Sequence, residues 1–140
     1  MNARALEREM LRNAEWLDQP FLRWLQLGII AVGCMFWVEA RAVSEAFSAD
    51  IYGTFAVAFP AEMWAAIMAG ASAMIWLGLV NPVRRWMVAV GAIVQTLQYA
   101  ALGYSAIWTG GEAVIGIHCT ALFVPIFALT AWRAAYAADA

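Results

Sequence analysis

The chain has 140 residues, of which 65% are hydrophobic and 13% charged, against ~25% charged in an ordinary soluble domain. Its net charge of −2 is too small to point to a nucleic-acid partner. A soluble globular domain, a disordered tail and a disulfide scaffold are excluded. At about 20 apolar residues per membrane span, the length holds one compact bundle and no separate catalytic domain.

Residues 1–20 read as an amphipathic segment. Leu6, Met10, Ala14 and Leu17 recur at three- and four-residue steps, the helical period, and charged residues fill the other face. Asp18-Gln19-Pro20 ends the pattern, because proline disfavours helix in the residue before it. Such a segment lies in the membrane interface, packs under the bundle, or meets a soluble partner. It mixes arginine and glutamate and carries no early apolar run, so it does not read as a cleavable signal.

Four spans are predicted within residues 21–133, at about 21–43, 61–80, 86–108 and 112–132, with a short tail at 134–140. The connection 46–60 contains Ser48, Asp50 and Gly53 but also Ile51, Tyr52, Phe55 and Phe59. It is too apolar for a loop free in water and is expected on or in the membrane surface. Asn81-Pro82 separates the second and third spans, and Thr109-Gly110-Gly111 is a turn signal before the fourth. Pro125 lies inside the fourth span and is expected to kink it. Cys34 and Cys119 fall in apolar stretches and read as small buried hydrophobes.

All eight basic residues are arginine, which fits the base composition of a bacterial genome. With four spans, both termini and the middle loop share one side. Arg4, Arg8, Arg12, Arg23, Arg84, Arg85 and Arg133 fall there and only Arg41 falls opposite. The positive-inside rule then predicts a bacterial inner-membrane protein with both termini cytoplasmic, Arg84, Arg85 and Arg133 helping to set the topology. Trp24, Trp86 and Trp132 fall at the predicted cytoplasmic ends, and Trp64 and Trp108 at the outer ends, where the amphipathic indole is favoured.

Four groups of residues stand out. Ala61, Ala65, Ala69 and Ala73 form a row of small residues with Ala66 and Gly70 beside it. Such rows let helix backbones approach closely, inside one chain or between subunits. Gln95, Gln98 and Tyr99 lie near the middle of the third span, and His118 lies about two turns into the fourth. The amides read as interhelical hydrogen-bonding glue or as the lining of a polar path. His118 is the single histidine, and a contact with Gln98 is open if the two helices are neighbours. Glu62 and Glu112 open the second and fourth spans, where the helix dipole favours carboxylates; together they read as helix starts or as an acidic outer vestibule.

No nucleotide-binding, nucleophile-elbow or metalloprotease motif is present, and the lone histidine gives no metal or haem spacing. No cofactor, metal or catalytic residue is therefore expected. The fold class expected is an all-α integral membrane protein, a four-transmembrane-helix bundle with an amphipathic N-terminal helix. The function expected is a non-enzymatic assembly subunit whose partners are the lipid bilayer and either further copies of itself or other membrane subunits. A holin-like pore former is compatible in size and topology, although the tail lacks a strong run of charge. A small carrier using the polar residues of spans three and four is the other alternative.

Overall fold

The computed structural model describes residues 2–38, 61–108 and 118–138, and every element among them is helical. Helix α1 covers Ala3–Leu17, α2 Pro20–Val38, α3 Ala61–Val80 and α4 Arg85–Trp108. A π-helical segment, Cys119–Phe123, leads into α5, Val124–Ala137. The predicted loop at 46–60, Glu112 and the Thr109–Gly111 turn signal lie outside the described residues.

Local chemistry accounts for the element ends. Asn2 caps α1, its side-chain oxygen accepting from the Arg4 N–H at 3.3 Å, which satisfies one of the orphan donors of a helix start. The Asp18 N–H closes the other end onto Ala14 O and Glu15 O. Pro20 then occupies the first position of α2, where its missing N–H costs nothing. Between α3 and α4, the Asn81 side chain accepts from the Val83 N–H at 3.1 Å, and Pro82 begins a single 3-10 turn, Pro82–Arg84. The chain reverses sharply there. Gly78 permits the reversal, because a Cβ in its place would lie 2.5 Å from Val88 Cγ2 and 2.9 Å from the Arg84 carbonyl oxygen.

The π segment has a covalent cause. Pro125 has no N–H to give to the carbonyl four residues earlier, and its ring would strike that carbonyl in a regular helix. The backbone widens ahead of it, with the Val124 N–H reaching back to Cys119 O. The expected distortion at Pro125 is thus a widened turn on its N-terminal side.

The helices pack in chain order: α2 on α3, α3 on α4, and α4 on α5 with its π segment, while α1 lies against α5. These are the extensive helix–helix contacts among the described residues. Helices α2 to α5 thus neighbour one another in chain order, and α1 packs on α5 while its end, Asp18, reaches Arg23 and Arg85. Leu22 and Ile29 of α2, Ile75 and Leu79 of α3, Val88 and Ala92 of α4, and Phe127, Ala131 and Ala134 of α5 form the buried seam, joined by Leu17 of α1.

Two helices are long and apolar enough to cross a membrane, Glu62–Val80 and Pro82–Tyr104. Pro20–Cys34 and Ala121–Ala137 are apolar but shorter. Two details depart from the sequence reading. Helix α5 runs to Ala137 rather than stopping near residue 132, because Ala134 and Ala137 are buried and alanine is the best helix former. Cys34 is exposed, whereas Cys119 is buried.

Candidate functional site

The seam between α3 and α4 holds the amides of Gln95 and Gln98. Both are buried, with 0% and 3% exposure. Gln95 Nε2 donates to the Met68 carbonyl at 2.9 Å and to Ser72 Oγ at 2.6 Å. Gln98 Nε2 donates to the Trp64 carbonyl at 3.0 Å. Main-chain carbonyls only accept, so these bonds fix which end of each amide carries nitrogen. The two side chains lie three residues apart, on one helix face, and stitch α4 to two successive turns of α3.

Tyr99 belongs to a different contact. A helix turns about 100° per residue, so Tyr99 faces α5 while Gln98 faces α3. The Tyr99 ring stacks on Phe123 and Phe127 with centroid separations of 4.7 and 5.5 Å. His118 precedes the π segment and is exposed. Of the residues grouped in the sequence, Gln95 and Gln98 face α3, where Gln98 bonds to Trp64, and Tyr99 faces α5. Thr130 of α5 is also buried, and its hydroxyl donates to the Ile126 carbonyl at 2.7 Å, which satisfies it within its own helix.

The row of small residues splits in two. Ala65 is buried, and a Cβ at Gly33 of α2 would lie 3.1 Å from Ala69 Cβ and 3.3 Å from the Ala65 carbonyl oxygen. Ala65 and Ala69 thus pack on Gly33 of the same chain, the intramolecular one of the two readings of that row. Ala66 and Gly70 are exposed, and a Cβ at Gly70 would meet nothing within 4 Å. Ala73 is half-buried, and Ala61 begins the helix. Glu62 is exposed in the first turn of α3. Among the described residues no group of three or more His, Cys, Asp or Glu side chains is placed to hold a metal ion.

The arginines taken as topology signals also make specific contacts. Arg85, 6% exposed, donates from Nη2 to Asp18 Oδ1 at 2.5 Å, and Arg23 approaches the same carboxylate at 4.0 Å. The Arg133 guanidinium carbon lies 5.1 Å from the centre of the Trp16 ring, within cation–π range. These contacts clasp the end of α1 to the start of α4 and to α5. Arg84 is exposed.

Four buried polar residues escaped the sequence reading: Asn13 of α1, Gln26 of α2, Ser72 of α3 and Thr130 of α5 are each at most 1% exposed. Asn13 continues the apolar face of Leu6, Met10 and Leu17, and Gln26 lies between Leu22 and Ile29 at four- and three-residue steps. A polar residue on an otherwise apolar stripe was the available signal. Comparison with known families, curated proteins and solved structures finds no match to this chain.

Proposed function

We propose that the chain is a small non-enzymatic membrane protein, a helical subunit that crosses the bilayer and associates with further copies of itself or with other membrane subunits. The observation that carries the membrane reading is the polarity of the fold, reversed from that of a water-soluble domain. Leu27, Val32, Leu77, Val90, Ile93, Leu97, Leu122 and Leu129 are exposed, whereas Gln26, Ser72, Gln95, Gln98 and Thr130 are buried. Water would penalise both halves of that distribution. Lipid reverses the balance, since apolar side chains face apolar tails, and Ser72, Gln95, Gln98 and Thr130 find partners within the protein. The proposal extends the two candidate spans to four passes with both termini cytoplasmic, in line with the arginine distribution.

Association is supported by the outward row. Ala66 and Gly70, four residues apart, leave the surface of α3 open to a second helix backbone, the geometry that close helix contacts in lipid use. The test is the mass of the particle extracted gently from its membrane, for the native chain and for Ala66→Leu and Gly70→Leu. The native particle is expected to hold several copies or defined additional subunits, and the substituted particles fewer. A native particle of one chain overturns the association reading. A particle of this chain alone whose induced expression collapses the membrane potential turns the reading to a pore former.

A further inference from the structure

We propose that the seam where α1 meets α4 and α5 binds the phosphate of an anionic phospholipid, with Arg85 and Arg133 as the donors. The proposal rests on the membrane reading above. Arg85 Nη2 is engaged by Asp18, but Nη1 is buried with no acceptor. The Arg133 guanidinium lies over Trp16, and its Nε is likewise buried with no acceptor. Asn13 is 1% exposed, and neither of its amide atoms has a partner. A cationic N–H donor buried without an acceptor is costly, and two such guanidinium groups, with the neutral Asn13 amide, lie along the contacts of α1. Glu9, Asn13 and Trp16 share a face of α1, and the charge of Arg133 is felt at Glu9 as its ring contact is at Trp16. Asn13 thus lies on the face of α1 that carries Trp16, the residue Arg133 covers.

The chemistry missing from this seam is an acceptor with several oxygens and negative charge. Phosphate supplies both, and guanidinium is the side chain best matched to it. The surroundings select a lipid phosphate over a free one. Phe21, Trp24, Val83, Trp86, Trp132 and Tyr136 are all exposed and lie close in sequence to the clasp residues. Such a collar of aromatic and aliphatic side chains sits at headgroup depth, with acyl chains on one side and water on the other. Basic pockets at the cytoplasmic ends of membrane helices are suited to anionic headgroups. Asp18 faces both Arg85 and Arg23, so its single charge leaves that corner net positive.

The test uses the full chain in lipid discs containing phosphatidylcholine alone or mixed with phosphatidylglycerol. After mild extraction, native mass spectrometry counts the lipids retained. The native chain is expected to hold phosphatidylglycerol in preference to phosphatidylcholine. Arg133→Gln is expected to lower that retention about tenfold, the scale of a lost charge-assisted contact, and Arg85→Gln to do the same. Arg4→Gln and Arg8→Gln remove the same charge from exposed positions of α1 and are expected to keep it. Arg133 is only partly buried, so its variant remains informative should Arg85→Gln fail to fold. Equal retention of the two lipids, or full retention by Arg133→Gln, overturns the proposal. Displacement of the lipid by excess inorganic phosphate overturns its lipid source. A chain that does not enter discs at all overturns the membrane reading instead.

Discussion

Two glycines and two glutamines control how closely α4 approaches α3. A Cβ at Gly91 would lie 2.7 Å from both the Ala71 carbonyl oxygen and Ile75 Cγ1, and one at Gly78 would strike Val88 and the Arg84 carbonyl. Backbone cannot yield as the tip of a side chain does. Gly78→Ala and Gly91→Ala are each expected to cost ~1–3 kcal/mol, the usual range for overpacking, read as a lower midpoint of unfolding in mixed micelles. Gly28→Ala, where the added Cβ would meet nothing within 4 Å, is expected to leave the midpoint unchanged or raise it. Gln95 acts at the same seam through hydrogen bonds. A cycle of Gln95→Leu, Ser72→Ala and the double variant is expected to give a coupling of ~0.6–2 kcal/mol; a coupling near zero would remove the 2.6 Å Gln95–Ser72 bond from the forces holding α3 to α4. The sequence exposes Gln95 and Gln98 because amides are rare in apolar runs. It does not say which neighbour they meet, since a helix places residues on its own surface and only the register between helices decides the partner. That is why a contact between Gln98 and His118 was open, and why the structure settles on Trp64.

Helix α1 is legible as an element and illegible as a contact. The spacing of Leu6, Met10 and Leu17 gives its apolar face, while its docking depends on long side chains from residues 85 and 133, far away in sequence. Electrostatics makes α1 itself sensitive to acid. The Arg12 guanidinium bonds to Glu9 and, with Arg133 nearby, holds the Glu9 carboxyl below its ordinary value of 4.5. A carboxyl lowered in the folded state stabilises that state fully above its unfolded pKa and loses the contribution as pH falls through the folded one. Exchange of the α1 backbone amides, corrected for intrinsic pH dependence, is therefore expected to quicken below about pH 4.5, more in the native chain than in Glu9→Gln. Equal acid sensitivity in the two proteins would show that this carboxylate does not help stabilise α1. The π segment is legible in part: Pro125 announces a distortion, but the widened turn at Cys119–Phe123 is one of several ways a helix can accommodate proline.

For the whole molecule, reversed polarity and the clasp at one end combine into a statement about sidedness. Asp18 meets Arg85, and Trp16 meets Arg133. The chain therefore leaves this end after Asp18, is back at Arg85, leaves again through α4, and is back at Arg133. On the proposed membrane reading, an even number of crossings separates each pair, which would put the N-terminal helix, the Asn81–Arg85 turn and the C-terminus on one side. Arginine counting reaches the same grouping by a separate route, from the cost of moving guanidinium across a bilayer rather than from contacts. A reporter active only in the cytoplasm, fused after Ala140, is expected to be active, and one active only outside it to be silent. The same pair inserted after Pro82 is expected to give the same result. Opposite results at the two positions would mean that the Arg85–Asp18 and Arg133–Trp16 contacts do not form together in the membrane. Agreement of both positions with an outside location would keep the clasp and reverse the orientation that the arginine count predicts.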